Sequence, residues 1–316
     1  MSAPTIDETY GAMLIGLLIA TFLQGMLTVQ LYQYYISFPK DPTLNKVLVG
    51  SVWCLDLIHL IFISHPTYYF LVTNWGNPAV LTHSTVLLNL HLPLIGITTI
   101  ICQIYFLHRV WLFTEKNIPI MVSLVSLCIG TLVLGFFITV KILEDLSVAT
   151  FYRFRYVSIP QFIVGAMADI GIAVCLCWYL DKGKGEYKST NNIISRLVRY
   201  TIATGAATSL LAVACTIAYM AKPQTMIFVS MHFSMGRMYT NALLATLNAR
   251  TGLRSQFDAV MLSGSNDTAR SPIRAEHGQS TFTVLNNDSS FPGVLITKHK
   301  ASDGDIVTDE AKYSPR

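Results

Sequence analysis

Three charged residues stand inside long apolar runs: Asp56 in "VWCLDLIHL", Asp169 in "GAMADIGIA" and Arg237 in "FSMGRMYTN". A charge surrounded by hydrocarbon is costly, so such residues normally turn toward a protein interior or a wet cavity and mark a functional site or a structural pair. His59 lies one helical turn from Asp56 and shares its face, and Asn241 lies one turn after Arg237. Asp56, His59, Asp169, Arg237 and Asn241 therefore form a candidate buried polar cluster. In it, Arg237 is expected to turn toward Asp169, Asp56 or both, because the guanidinium carries a fork of donors that can serve two carboxylates. Two readings of the cluster stand side by side. It fixes helix register, the best-attested use of buried ion pairs, or it binds an ion or ligand and switches between arrangements. A carboxylate left over after pairing would suit proton-linked behaviour.

Histidines make a second pattern. His65, His91 and His232 each fall near the same end of their helices, and zinc sites commonly use three protein ligands plus water. No H-x-x-x-H or H-E-x-x-H spacing supports a metal. The expectation is separate hydrogen-bonded histidines, with no metal and no cofactor, and no residue is singled out as catalytic. Pro66 after His65 and Pro93 after His91 are positioned to kink both helices at this level.

The elements that must position these residues are read from hydropathy. The chain has 316 residues, 52% hydrophobic and only 13% charged, with mean hydropathy +0.49, where a soluble domain carries about 25% charge. A spanning helix needs about 20 mainly apolar residues, and seven candidates meet that need, at 11–35, 47–72, 87–113, 118–142, 157–180, 197–221 and 225–248. At 1.5 Å per residue, Arg237 and Asp169 each lie about 16 Å from one end of their spans and Asp56 about 13 Å, near one level. Tyr32, Tyr34, Tyr35, Tyr68, Tyr69, Trp75, Trp111, Trp178 and Tyr179 fall at span edges, where amphipathic rings favour the headgroup level.

The six cysteines fall inside apolar runs and read as buried thiols rather than a disulfide framework. Small residues concentrate in the fifth and sixth spans, among them Gly165, Gly171 and Gly205, which allows close helix approach. No positively charged n-region precedes the first span, which is expected to act as its own insertion signal. Basic residues favour the segments that lie inside if the N-terminus is outside: Lys40, Lys46, Arg109, Lys116 and the 181–196 loop. The 141–156 segment, with Lys141, Arg153 and Arg155, dissents. The expected protein is all-α and polytopic, a seven-helix transmembrane bundle (11–250) with N-out, C-in topology. It has a short outer N-terminus (1–10) and a polar cytoplasmic tail (251–316) whose composition predicts disorder.

The stretches "YGAMLIGLLIATFLQGMLTVQLYQYY" (10–35), "FPKDPTLNKVLVGSVWCLDLIH" (38–59) and "NALLATLNAR" (241–250) resemble a basidiomycete fungal family of seven-helix integral membrane proteins defined by a domain of unknown function. The resemblance implies the topology over about residues 10–250 and brings no activity or site residue with it.

The function expected is that of an orphan receptor or sensor in the plasma membrane, not an enzyme. The bilayer is its surroundings, and the 181–196 loop and the tail are the surfaces for a cytosolic partner. A net charge of +4, scattered along the chain, gives no nucleic-acid footprint. A retinal pigment is disfavoured, since the seventh span has no Lys. A proton- or ion-coupled transporter or channel using Asp56, Asp169 and Arg237 is the competing reading, and a membrane-embedded metal-dependent hydrolase using the histidines is the third.

Overall fold

The structure, a computed structural model, describes residues 7–77, 80, 83–182, 188–222 and 225–250. The 251–316 tail, most of the N-terminal 1–10 segment, the middle of the 181–196 loop and most of the short link at 222–224 lie outside the described residues, and the expectations placed on them with it.

Among the described residues the secondary structure is helical apart from turns and one isolated bridge, His83 to Ser147. Seven long helices follow the apolar runs: α1 (Ala12–Ser37), α2 (Thr43–Tyr68), α3 (Val86–Phe113), α4 (Ile118–Glu144), then, past the short α5 (Val148–Arg153), α6 (Arg155–Lys182), α7 (Lys188–Ala221) and α8 (Ile227–Asn248). Local chemistry sets several boundaries. Thr85 caps α3 by accepting from the Leu88 amide, and Asn117 caps α4 by accepting from the Ile120 amide, with Pro119 in the first turn. The intervening turn is tight enough to drive Glu115 and Lys116 to φ of 52° and 65°. Pro66, which has no amide hydrogen, is followed by a π-helical turn at Tyr69–Thr73.

Among the described residues, five helical segments are long and apolar enough to cross a membrane: Glu8–Ser37, Thr43–Thr73, Val86–Phe113, Ile118–Glu144 and Arg155–Tyr179. Gly205–Ala221 of α7 is a shorter apolar piece, and α8 is more polar. The packing is that of a membrane protein: large apolar side chains point out, with Phe22 69% and Phe136 67% exposed, while polar ones point in. Among the aromatic rings at the span edges, Tyr32, Tyr68, Trp75 and Trp178 face outward, whereas Tyr34 is fully buried and donates to Asp41 at 2.5 Å. All six cysteines are free; Cys54, expected to be buried, sits on the outer face of α2.

Neighbours in sequence pack side by side, α1 on α2, α2 on α3, α3 on α4, α4 on α6, α6 on α7 and α7 on α8, and α8 returns to α1 to close the ring. Within the ring α3 also touches α6 and α8. The α1–α8 contact is close because Gly16 lies under Ser230: a Cβ at Gly16 would come within 2.8 Å of the Ser230 backbone. Gly205 does the same for α6 and α7, where an added Cβ would meet that of Ala173 at 2.7 Å. At the end of the bundle where α1 and α8 begin, the Met226 amide donates to the Glu8 carbonyl and Lys222 pairs with Glu8. An apolar cluster fills this end, including Met13, Ile63, Leu88, Val229 and Phe233. A second cluster, including Leu107, Val110, Leu124, Ile172 and Leu176, fills the opposite half. The polar residues lie between the two.

Candidate functional site

The hub is α8. Arg237 is the largest side chain with no exposure; its two Nη groups go to neutral acceptors, and its Nε has no partner. Nη1 reaches the His59 Nδ1 at 2.9 Å and the Phe233 carbonyl at 2.8 Å, and Nη2 reaches the Asp56 backbone carbonyl at 3.1 Å. The Asp56 carboxylate is taken by Thr240, whose hydroxyl donates at 2.5 Å. Arg237 and Asp56 thus share one buried locality, without a direct ion pair between guanidinium and carboxylate. The charge is spread over carbonyl and imidazole dipoles, which removes its need for a second carboxylate.

Asp169 stands apart from this group. It accepts from the Tyr239 hydroxyl, two residues beyond Arg237 on α8, and Gln103 and Thr208 also approach it. A small void of about 40 Å³ adjoins it, enough for a water. Asn241 turns toward α1. Its amide donates to the Leu23 carbonyl at 3.2 Å and the Arg237 carbonyl at 2.8 Å, and its oxygen accepts from Gln30 at 3.1 Å. Equal depth therefore did not bring the three charges together: Arg237 gathers Asp56 and His59, while Asp169 belongs to a separate group with Tyr239.

The histidines are rearranged in the same way. His91 and His232 meet, with His232 Nδ1 3.4 Å from His91 Nε2, and the ring of His59 lies 5.7 Å from that of His91, centre to centre. His65 is elsewhere, stacked on Tyr69 one turn along its own helix. The partners fix the tautomers. A carbonyl only accepts, so His91 Nδ1, bonded to the Leu88 carbonyl, carries the hydrogen and Nε2 accepts from His232. Arg237 only donates, so His59 Nδ1 accepts and its hydrogen sits on Nε2, which has no partner. Among the described residues no three His, Cys, Asp or Glu side chains converge to hold a metal.

The row of imidazoles borders a cavity of about 280 Å³ between α3, α4, α6, α7 and α8. Its wall is mainly aliphatic and aromatic, with Pro93, Gly96, Phe136 and Phe162 among its members; His91, His232, Gln103, Gln161 and Tyr239 bring polar groups, with a few hydroxyls beside them. On α4 the lining runs from Ile142 to Cys128, a length of about 21 Å at the helical rise. It is an elongated slot in one half of the bundle. On α3 it ends at Gln103 and on α8 at Tyr239, where the small void beside Asp169 begins, and Leu107, Val110 and Leu124 pack the core of the opposite half.

The sequence reading missed Gln103, Tyr239 and Thr240. Each is a polar side chain inside an apolar run, the same signal that singled out Asp56. Arg109, counted among the loop bases, is in fact buried, with its guanidinium 5.8 Å from the Phe113 ring.

Residues 165–252 match a family of unknown function (DUF6534). The match takes in most of α6, all of α7 and α8, and hence Asp169, Arg237, Tyr239 and Asn241. Of the three stretches that carried the resemblance, "NALLATLNAR" falls within it and the other two precede it. No curated protein and no solved structure matches the chain.

Proposed function

We propose that the chain is a seven-helix integral membrane protein of the receptor or sensor type, with its N-terminus outside and its tail inside. In this reading it is a seven-helix member of the fungal family it resembles, works at the plasma membrane, and meets cytosolic partners through the 181–196 loop and the tail. The observation that carries it is the confinement of the slot to one half of the bundle. A cavity of about 280 Å³ occupies one half of the bundle and meets, at Gln103 and Tyr239, only the void of about 40 Å³ beside Asp169, while Leu107, Val110 and Leu124 pack the opposite half. That form suits a ligand that binds and leaves by the same side. A transport path would instead need polar groups leading through both halves. The buried carboxylates do not supply one, since Asp56 is tied to Thr240 and Asp169 to Tyr239 in separate groups. The hydrolase reading lacks an assembled ligand set among the described residues.

Reconstitution tests the choice. The intact chain is placed in liposomes holding a pH-sensitive dye, and a proton gradient is imposed. The expected flux equals that of empty liposomes. Flux above that level, abolished by Asp169→Asn, would put the transporter ahead.

A further inference from the structure

The inner end of the slot has chemistry that a purely apolar occupant would leave unused. Gln103 is 3% exposed, lines both the slot and the small void beside Asp169, and its amide nitrogen completes no hydrogen bond. A primary amide carries two N–H donors, and even a bond to the neighbouring Asp169 would use one of them. A buried donor left unmet is costly, so a ligand that supplies an acceptor there is favoured. Tyr239 lines both spaces as well, and its oxygen, which donates to Asp169 in the void, can still accept. A hydroxyl is the smallest group that answers both, accepting from Gln103 and donating to the Tyr239 oxygen. Most of the remaining wall is hydrocarbon: the hydroxyls of Thr131, Thr139 and Ser158 are already bonded to backbone carbonyls four residues back, and Thr99 and Gln161 are the other polar side chains along it.

We propose that the slot binds an elongated apolar alcohol, with its hydroxyl on Gln103 at the inner end and its hydrocarbon lying between α3, α4 and α6 toward His91 and His232. The proposal rests on the reading of the bundle as a ligand-binding protein and names the ligand class. A phospholipid tail entering from the bilayer would present a methyl group, not an oxygen, to Gln103. The alcohol therefore comes as a free molecule rather than as part of the surrounding lipid. Gly96 offers a way to close the slot without disturbing its walls: it lines the cavity, and a Cβ built there meets nothing within 4 Å.

The test uses the full chain in phosphatidylcholine nanodiscs and a dodecanol analogue carrying a mid-chain diazirine. After irradiation, labelled peptides are located by mass spectrometry. The expected label falls on the slot-lining parts of α4 and α6, is displaced by 1-dodecanol, and is not displaced by dodecane at the same concentration. Gln103→Leu weakens labelling about tenfold, the equivalent of 1.4 kcal/mol. Gly96→Phe abolishes it while the helical signal and melting temperature are kept, which guards against a Gln103 variant that fails to fold. Slot labelling that dodecane displaces equally, or that ignores Gln103→Leu, overturns the alcohol and leaves the ligand-binding reading standing. Label confined to lipid-facing residues such as Phe22 and Val29, unchanged by Gly96→Phe, overturns both.

Discussion

Arg250 closes on Asp41 through two nearly parallel bonds, Nη1 to Oδ1 at 3.2 Å and Nη2 to Oδ2 at 2.8 Å, and so fastens the end of α8 to the link between α1 and α2. The guanidinium also lies 4.7 Å from the centre of the Phe38 ring, and Asp41 accepts from Tyr34 and Asn45 as well. Burial works to raise the Asp41 carboxyl, but the Arg250 and Tyr34 bonds outweigh it and hold the group below its ordinary value. Since the folded value is the lower one, the unfolded chain binds more protons in the acid range. The contribution to stability is then complete above about pH 4 and is lost as pH falls through the folded value. Unfolding of the micelle-bound protein by added dodecyl sulfate, followed by circular dichroism, is expected to show this acid loss and to show it absent in Asp41→Asn. Arg250→Lys keeps the charge without the fork, and is expected to cost about 1–2 kcal/mol.

Arg237 and Asp169 are expected to behave as independent sites. Arg237→Ala strips donors from His59, Phe233 and Asp56 at once and leaves a buried carboxylate without its nearby cation, a loss of about 3–5 kcal/mol. Asp169→Asn keeps an acceptor for Tyr239 and is expected to cost about 1 kcal/mol. With no shared partner, the two substitutions should add to within about 0.5 kcal/mol in the same unfolding assay. A strong rescue of Arg237→Ala by Asp169→Ala would mean that the two charges do pair.

Two glycines of α1 form an internal comparison. Gly16→Ala drives a methyl group into the Ser230 backbone, and is expected to lower stability by about 1–3 kcal/mol. Gly25 has nothing within 4 Å of an added Cβ, so Gly25→Ala is expected to be neutral or to stabilise by about 0.5–1 kcal/mol. Equal losses at both would place the close α1–α8 contact elsewhere.

Topology has its own readout in glycosylation, because the tail contains two acceptor triplets, at Asn266 and Asn287. Expressed in a eukaryotic host, the native chain is expected to show no mobility shift on endoglycosidase treatment, and a variant with an acceptor engineered between residues 74 and 85 is expected to shift. A shift of the native chain would reverse the proposed orientation.

Most of the helices could be read from the sequence, because length and hydropathy decide them locally. The Tyr69–Thr73 π-turn and the short helix α5 could not, since they answer to neighbouring packing. Depth could be read as well: counting residues set Arg237 and Asp169 level. What counting does not give is the direction each side chain takes around its helix. Each residue turns the helix by about 100°, so Tyr239 points about 200° away from Arg237, and it is Tyr239 that meets Asp169. His65 is likewise about 240° around from His59, which is why His59 takes its place beside His91. The slot and the Asp41–Arg250 contact lie further still from local pattern, the first because five helices enclose it and the second because its partners are 209 residues apart.

The position of α8 in the chain has a bearing on how the protein is made. The ribosome delivers α8 after the other described helices, yet Asp56 on α2, His59 on α2, His91 on α3 and Asp169 on α6 all find partners on it or through it. Until that helix arrives, the nascent chain holds several polar side chains whose partners have not yet been synthesised. With Arg237 at its own centre, α8 has in turn little reason to enter lipid alone and good reason to enter against the helices already there. Synthesis of α8 is thus the moment at which a cell's quality control can tell an assembled bundle from an abandoned one.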